Sequence, residues 1–333
     1  MNATKLQLNQ LSGKVVAIDA YNTLYQFLAI IRGESGEPLA DNTGRVTSHL
    51  SGLFYRTLNL LQMGIKPVYV LDGEPPSLKS AELNRRRAVK QVAMAKYQEA
   101  IVAGRIVEAK KYAQSTSVLR DHMVDDTKQI LDLMGVPFVQ APSEGEATAA
   151  QMTMSGMASY AASQDYDSLL FGAHRLLRNV TISGRRKLPG KSVYVTVEPE
   201  VLTLEIVLDK LGITGEQLVD LGILIGTDFN PGGFKGVGPA TALKYIKSYG
   251  RLEEIQELKE SLSSINFQAI REIFLKPRVA TVEHLNWGSI NEEGLVKFLC
   301  RERDFSEGRV RGSLNRLRQE KEKRSQSLEK WFG

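Results

Sequence analysis

The 333-residue sequence has one cysteine, four histidines and no long apolar run. The lone cysteine, Cys300, excludes an internal disulfide and a metal site built from several thiolates. No apolar run approaches the roughly 18 residues that a membrane-spanning helix requires. Residues 1–12 also lack the apolar centre of a signal peptide. We therefore expect an intracellular protein with no membrane partner.

The remaining composition is that of a chain with a sizeable core. Hydrophobic residues make up 42% and charged residues 24%, which is ordinary for a soluble globular protein. The length predicts one large α/β unit with appendages, or two lobes. Lysine and arginine number 43 against 38 acids, but basic residues crowd a few segments while acids follow predicted strands. This layout favours a polyanionic substrate and metal-assisted chemistry.

Acidic residues mark the ends of the predicted strands. Residues 14–19 and 66–72 are apolar, β-branched runs that each end in aspartate, and helix-forming residues separate them. This alternation predicts a βαβ unit in a mostly parallel sheet, whose carboxyl edge gathers ligands. A third strand-like run, residues 159–163, lies between two pairs of carboxylates. The candidate acids are Asp19, Asp72, Glu144, Glu146, Asp165, Asp167 and Asp228.

These acids have two interpretations. Carboxylates gathered in apolar surroundings need a neutralising cation, and oxygen ligands without histidine suit Mg²⁺ or Mn²⁺ rather than zinc. That interpretation predicts a phosphodiester hydrolase that uses two metal ions. The alternative is structural: Ser143 and Glu146 fit a capping box, Asp167 fits a helix N-cap, and an aspartate after a strand is a common turn former.

Two other segments suit a phosphate backbone. Residues 78–123 are helix-forming, break at Gly104 and hold ten basic residues against four acids, which favours phosphate binding over an ordinary solvated helix pair. Gly236 and Gly238 precede Pro239 and predict a helix-hairpin-helix turn whose N–H groups hold a DNA phosphate. Residues 176–180 and 193–197 are predicted to flank a hairpin with a basic tip. Residues 201–211 are predicted to be a helix.

The end of the chain combines a charged stretch with an apolar terminus. Residues 319–327 are predicted to be disordered because they are too charged to pack. Leu328, Trp331 and Phe332 follow at i, i+3 and i+4, so one helical turn would place them on one face. This pattern is typical of a docking peptide. The alternative is a tail helix that packs on its own domain.

Six strings carry a family resemblance: IDAYNTLYQFL, SHLSGLFYRT, VYVLDGEPPSLKSAEL, QAPSEGEA, ASQDYDSLLFG and GTDFNPGGFKGVG. Through them, nearly the whole chain resembles the flap endonucleases, the archaeal and eukaryotic structure-specific 5′-nucleases related to the XPG repair nuclease. The resemblance implies an α/β, PIN-like fold with a mostly parallel central sheet flanked by helices. It implies a nuclease core (1–227) that includes a helical arch (about 78–123), a helix-hairpin-helix and helical region (228–318), and a flexible tail (319–333).

The resemblance also implies an activity. Family members hydrolyse DNA phosphodiesters at single-/double-strand junctions of 5′ flaps, as flap endonucleases and 5′-3′ exonucleases, in Okazaki fragment maturation and repair. They use two Mg²⁺ ions, which Mn²⁺ can replace. The implied location is the cytoplasm or nucleoid of an archaeon.

Residue roles come by match to the family motifs. The first metal site would be held by Asp19, Asp72, Glu144 and Glu146. The second would be held by Asp165 and Asp167, with Asp228 supporting it through water. Lys79 and Arg86 match the catalytic basic pair at the base of the arch, which contacts the scissile phosphate.

The resemblance implies DNA and clamp contacts as well. Tyr25 would stack on the terminal base of the duplex, and the turn at residues 233–238 would hold duplex DNA with a K⁺ ion. The DNA-binding residues expected are Tyr25, Arg32, Arg56, Gly236 and Gly238. The sliding-clamp (PCNA) binding residues expected are Leu328, Trp331 and Phe332.

Two departures from the family pattern carry expectations. The family opens with Met-Gly and about ten more residues before the first strand, so we expect that leader to be missing here. The clamp peptide places glutamine three residues before its aliphatic anchor, but Ser325 holds that place and Gln326 follows, which predicts reduced clamp affinity. Two other functions remain open: a junction-resolving nuclease, which would dimerise, and a non-catalytic, clamp-tethered DNA-binding module, which would not need all seven acids.

Overall fold

The computed structural model describes residues 3–182, 184–187 and 194–332, and its centre is a seven-stranded sheet. The strands, numbered along the chain, are β1 (Thr4–Lys5), β2 (Val15–Asp19), β3 (Lys66–Leu71), β4 (Phe138–Gln140), β5 (Tyr160–Ala162), β6 (Arg175–Arg178), β7 (Gly184–Lys187), β8 (Tyr194–Val197) and β9 (Glu200–Thr203). The sheet has the order β1-β9-β6-β5-β2-β3-β4, and β7 pairs with β8 separately. The five strands from β6 to β4 are parallel. Strand β9 pairs antiparallel with β6, and β1 pairs antiparallel with β9. The predicted α/β fold with a mostly parallel sheet is therefore confirmed.

Helices cover both faces of this sheet and form the appended regions. In the first half of the chain they are α1 (Ala20–Ile30), α2 (Ser48–Gln62), α3 (Ser80–Val102), α4 (Ile106–Ala113), α5 (Asp121–Leu133), α6 (Gly145–Met154) and α7 (Asp167–Leu170). In the second half they are α8 (Leu204–Leu211), α9 (Gly215–Ile225), α10 (Pro239–Tyr249), α11 (Lys259–Ser263), α12 (Phe267–Leu275), α13 (Glu292–Leu295) and α14 (Glu307–Phe332). Short 3₁₀ turns cover Leu8–Leu11, Ser77–Lys79, Gln114–Thr116, Leu252–Glu254 and Gln256–Leu258, and a π-helical turn covers Val296–Arg301.

Alternating residues of the central strand enter two different apolar clusters. Val16 and Ile18 of β2 are fully buried on the face that packs against α1, α2, α5 and α14. Ala17 points to the opposite face, where α6, α9, α10 and α12 pack. Because both faces are covered, the strand is an almost continuous apolar run that ends in Asp19 at the carboxyl edge. After residue 228, residues 229–274 share the second cluster with α6, whereas residues 295–317 belong to the first. The division of this part of the chain into a separate region stays a prediction.

The basic helical insertion is present as expected. Helix α3 and helix α4 are separated at Gly104, whose φ of 68° lies in the left-handed region that glycine adopts without strain. The pair returns to the body through the 3₁₀ turn Gln114–Thr116. No helix in the described part of the chain is long and apolar enough to cross a bilayer.

Four local predictions are wrong. The predicted first hairpin strand is instead β6, whose Leu176 and Leu177 are fully buried beside β5, so β8 pairs with β7. The basic stretch expected at the hairpin tip is largely strand β7, and the residues between β7 and β8 lie outside the described part of the chain. The predicted helix at 201–211 begins only at Leu204, because the residues before it form β9 and pair with β6. Residues 319–327, predicted to be disordered, continue α14 as a helix.

Candidate active site

All seven candidate carboxylates line one cavity of about 1620 Å³ at the carboxyl edge of the parallel sheet. This acidic cavity is framed by the ends of β2, β3 and β5, by the start of α6 and by the loop after α9. It also contains the base of the arch, through Lys79, Arg85 and Arg86. The sheet therefore brings together acids that are separated by more than 200 residues in the chain.

Helix capping does not account for the acids of α6 and α7. The N-cap of α6 is Glu144, and its side chain makes no capping bond, whereas Ser143 donates to the carbonyl of Glu74. Asp167 lies inside α7 and is not its N-cap. Instead, the backbone N–H of Gly145 at the start of α6 donates to Oδ1 of Asp72 at 2.7 Å. Asp72 directly follows strand β3. The capping-box interpretation of Ser143 and Glu146 is therefore wrong.

The carboxylates destabilise one another as they stand. Burial, followed by repulsion from Asp72, raises the pKa of Asp19 well above its usual value. Burial, and then Asp19 and Asp167, raise the pKa of Glu146 in the same direction. The pKa of Asp72 rises to about 6 through burial and the nearby Glu144. Burial and mutual repulsion therefore both disfavour the ionised form of these carboxylates as long as no cation is bound.

Asp167 has a related environment. Burial raises its pKa to about 7, with further contributions from Asp228 and Asp165. A carboxyl group with this pKa is only partly ionised at neutral pH when no cation is bound. The site thus favours any cation that can approach it.

Two cations of the arch base already bind these acids. Lys79 Nζ lies 2.5 Å from Glu144 Oε2 and 3.2 Å from Asp228 Oδ2. Burial opposes the charged form of Lys79, but the pKa of its ammonium is raised because Glu144 and Asp228 outweigh that effect. Arg86 Nη2 reaches Asp228 Oδ1 at 2.5 Å, and 48% of the Arg86 side chain is exposed. Both predicted catalytic cations therefore contact predicted metal ligands.

Glu82 is a site residue that the sequence interpretation missed. It is only 2% exposed, and its carboxylate accepts from Arg85 Nε at 2.6 Å and from Arg86 Nε at 2.7 Å. The bonds from Arg85, and then from Arg86, lower the pKa of Glu82 to about 2. Glu82 thereby fixes the direction of the Arg86 side chain. Its spacing from the two arginines, i+3 and i+4 on one helix, is the signal that could have revealed it.

Arg178 is a second residue that the sequence interpretation missed. From strand β6 it donates to the carbonyl of Gln164 at 3.1 Å, to the hydroxyl of Tyr166 at 2.6 Å and to Glu200 at 2.8 Å. Its guanidinium also lies over the Tyr166 ring, 4.4 Å from the centroid. These contacts tie the loop that carries Asp165 and Asp167 to the sheet. No sequence signal indicates them, because they depend on the pairing of β6 with β5.

The donor set fits hard divalent cations. Among the described residues, no three or more Asp, Glu, His or Cys side chains form a group that could hold a metal ion in their present positions. The lining carboxylates nevertheless offer only oxygen donors, and the Lys79 ammonium, held between two of them, shows that a cation is stabilised there. Oxygen-only donors favour Mg²⁺ or Mn²⁺.

The residues expected to bind DNA are spread over the structure. Tyr25 lines the acidic cavity and is 36% exposed, with Lys90 Nζ 4.4 Å from its ring centroid. Arg32 instead donates to the carbonyl of Gly36 and to Ser117 Oγ, both at 2.9 Å, and so joins α1 to the segment that follows the arch. Arg56 is half-buried on α2 and does not line the cavity. The DNA contacts of all three residues stay predictions.

The expected phosphate-binding turn has an open surface. Gly236 has a φ of 82°, and Gly238 is the N-cap of α10 with Pro239 at its first position. A Cβ added at either glycine would meet no atom within 4 Å, so a ligand can approach the backbone closely.

At the C-terminal end of the chain, the side chains of Leu328, Trp331 and Phe332 lie outside the described part of the structure, which gives only their helical backbone.

Comparisons with known proteins place the chain in a family. The family model for the XPG N-terminal domain matches residues 2–93, and that for the XPG I-region matches residues 135–228. The chain is 55% identical to "Flap endonuclease 1" of Nitrosopumilus maritimus over 98% of this chain and 96% of that protein. The solved flap endonuclease-1 of Methanococcus jannaschii is 39% identical, with a TM-score of 0.74 and 95% of each chain covered. The catalytic core of Rad2 in complex with DNA substrate shares the fold at 23% identity and a TM-score of 0.68, covering 95% of this chain and 96% of that one.

Proposed function

Because this chain belongs to the flap endonuclease family, we propose that its acidic cavity is the centre at which two divalent ions and the arch base hydrolyse DNA. The chain is a metal-dependent 5′ flap endonuclease, a hydrolase of DNA phosphodiesters that acts in replication and repair. The observation that carries the proposal is the convergence of all seven carboxylates with Lys79 and Arg86 in one cavity. The acids would hold the ions, and the two cations would hold the DNA phosphate.

We assign the carboxylates to two groups of ligands. Asp19, Asp72, Glu144 and Glu146 would hold one Mg²⁺. Asp165 and Asp167 would hold the other, and Asp228 would act on it through water. Bound ions of this kind supply a water of lowered pKa and neutralise charge on the leaving oxygen. The assignment is supported by the raised pKa values of Asp19, Asp72, Glu146 and Asp167, which come first from burial and then from repulsion by neighbouring carboxylates, in both groups.

Lys79 and Arg86 hold the scissile phosphate. Both lie where the arch meets the acidic cavity, two helical turns apart, and both carry charge that the acids now bind. A DNA phosphate competes with Asp228 and Glu144 for these two cations. Since their charge is needed most when negative charge develops on the phosphoryl oxygens, they act on the chemical step rather than on binding alone. Glu82 keeps Arg86 in place for this role.

The rest of the DNA contacts the surfaces around the cavity. The substrate is DNA, as in the solved complex of the Rad2 catalytic core, which shares the fold. We assign the terminal base of the duplex to Tyr25 and the flap to the basic arch. The N–H groups near Gly236 and Gly238, with a K⁺ ion, hold the duplex backbone. Arg32 and Arg56 would contribute from outside the cavity.

The C-terminal segment is proposed as the sliding-clamp peptide. Leu328, Trp331 and Phe332 keep the helical spacing of a docking face, and α14 runs to Phe332. Clamp binding would raise the local concentration of the enzyme at flaps. The glutamine that the peptide needs is displaced by one residue, so the clamp contact is weaker than in a peptide with glutamine at 325.

One assay tests the central proposal. A labelled double-flap DNA in Mg²⁺ is expected to be cut at the junction, whereas a four-way junction of matched sequence is not resolved into symmetric products. Glu146→Gln should abolish cutting while DNA binding persists. The matched control is Glu205→Gln, which makes the same change at an exposed position on α8. Normal cleavage by Glu146→Gln would refute the metal-ligand assignment, and symmetric resolution of the junction would favour the resolving-enzyme alternative.

A further inference from the structure

A chain of three hydrogen bonds runs from the buried Thr181 to the acidic cavity. The hydroxyl of Thr181 donates to Gln26 Oε1 at 2.9 Å, Gln26 Nε2 donates to Asn22 Oδ1 at 2.5 Å, and Asn22 Nδ2 donates to Asp165 Oδ2 at 2.9 Å. Thr181 is only 4% exposed, so its hydroxyl is removed from solvent and needs such a partner. The chain joins the turn after β6, two successive turns of α1 and the loop after β5.

Asp165, at the end of this series of hydrogen bonds, determines which group donates and which accepts in each bond. An ionised carboxylate can only accept, so Asn22 must present its NH₂ group to Asp165. The oxygen of Asn22 then faces Gln26, whose own NH₂ group must point to it, and the Gln26 oxygen is left to accept from Thr181. Each amide is therefore held in one orientation, and the donors are polarised toward the carboxylate. Asn22 and Gln26 are four residues apart on α1, which places them on one face.

Asn22 also contacts the other group of carboxylates. Its backbone N–H donates to Asp19 Oδ1 at 3.0 Å, while its side chain binds Asp165. A single residue thus engages one oxygen of an acid from each proposed metal site. The second oxygen of Asp19 and of Asp165 is the one available to an ion. Because both bonds come from one residue at the rigid start of a helix, they fix the relative position of the two carboxylates.

We propose that Asn22 is a positioning residue for the two proposed metal sites, and that Gln26 and Thr181 act through it. The proposal rests on the proposed function, in which Asp19 and Asp165 are metal ligands. Groups that hydrogen-bond a ligating carboxylate typically change metal affinity or activity about 10- to 100-fold when they are removed. Loss of the Asn22 side chain should therefore weaken ion binding about tenfold or more, while the fold keeps the backbone bond to Asp19.

Calorimetric titration of the full-length, DNA-free protein with Mn²⁺ measures this effect directly. Asn22→Leu, which keeps similar volume, should raise the Mn²⁺ dissociation constant about tenfold or more. Gln26→Leu should raise it by a smaller factor. The double variant should match Asn22→Leu, because Gln26 has nothing to orient once Asn22 is gone. Asn59→Leu on α2 is the matched control, since it makes the same change at a half-buried helical position outside the cavity.

A second readout separates positioning from simple damage to the fold. The single-turnover rate of Asn22→Leu on flap DNA should recover toward wild type as Mn²⁺ is raised, and the melting temperature in EDTA should stay within a few degrees of wild type. Thr181→Val leaves every amide in place and should still weaken Mn²⁺ binding by about threefold, the scale of one lost hydrogen bond.

The outcomes that overturn the proposal are distinct. Wild-type protein that binds no Mn²⁺ refutes the proposed function and this inference together. Wild type that binds, with Asn22→Leu binding equally well, refutes the inference alone. A double variant weakened by the product of the two single effects shows that Gln26 does not act through Asn22. If Asn22→Leu fails to fold, the other two variants decide. An unchanged Mn²⁺ affinity in both Gln26→Leu and Thr181→Val would then refute the proposal.

Discussion

Asp167 should make the metal-free protein less stable as the pH rises. Its pKa of about 7 in the fold lies above the usual value of 3.8, through burial and then the charges of Asp228 and Asp165. A carboxyl whose pKa is raised by folding binds its proton more tightly in the native state. The stability from that proton is fully present below about pH 4 and is lost as the pH rises through about 7. Asp167→Asn removes the titration while keeping the shape of the side chain.

The pKa shift of Asp167 sets the size of the change in the free energy of unfolding. At about 1.4 kcal/mol per pKa unit, a rise from 3.8 to about 7 amounts to an upper limit of about 4 kcal/mol at pH 8. Somewhat more than half of it, about 2–3 kcal/mol, develops between about pH 5 and pH 8. Because the proton of Asp167 is coupled to the acids beside it, we expect a smaller change of about 1–2 kcal/mol in practice.

Chemical denaturation in EDTA at these two pH values provides the assay. Asp167→Asn should gain stability over wild type on going from pH 5 to pH 8, whereas Asp209→Asn, an exposed control on α8, should show no such gain. Saturating Mn²⁺ at pH 8 should reverse the order, because the wild type then gains the binding energy of the ion. A variant that gains nothing at pH 8, or a wild type that Mn²⁺ fails to stabilise, would refute the reasoning.

Three further predictions concern cleavage and docking. Mg²⁺ or Mn²⁺ should support cutting and Ca²⁺ only binding, and Asp165→Ala should lose nearly all cleavage in a gel assay while retaining DNA affinity; normal cutting would return the acid to a structural role. Lys79→Ala or Arg86→Ala should lower the single-turnover rate by about 10²-fold or more, and an unchanged rate with weaker binding would reduce them to ordinary phosphate contacts. Deleting residues 325–333 should leave clamp-free cleavage nearly intact and abolish clamp stimulation, and Ser325→Gln should tighten clamp binding; a deletion that unfolds the protein would show that the segment belongs to the body of the enzyme.

The sheet and the acidic cavity could be predicted from the sequence because their signals are local. Each parallel strand is a short apolar run, and Asp19 ends one of them while Asp72 directly follows another. Parallel neighbours align their carboxyl ends, so acids at those ends meet without any knowledge of strand order. The same logic fails for β9 and for the β7–β8 hairpin, where several strand partners fit equally well. There the burial of β6 beside β5 decides the pairing, and that is a tertiary effect.

The hydrogen-bond chain through Asn22 could not be predicted from the sequence, for a related reason. It connects residues 22, 26, 165 and 181, and only the first pair has a local spacing that a helix explains. The contact of Asn22 with Asp165 requires β2 and β5 to be neighbours in the sheet. An asparagine in the first turn of a helix is also unremarkable by itself, because such positions commonly serve the helix start.

The two sequence interpretations of the acids, capping and metal binding, are not exclusive in the structure. Asp19 caps α1 through Oδ1, and Asp72 caps α6 from another strand through its own Oδ1. In each carboxylate one oxygen satisfies a helix N-terminus, whose N–H groups also favour the negative charge. The other oxygen remains for a cation. Helix starts at the carboxyl edge therefore hold the ligands in place before any ion arrives, but the capping acids are Asp19 and Asp72 and not the residues for which the sequence suggested that role.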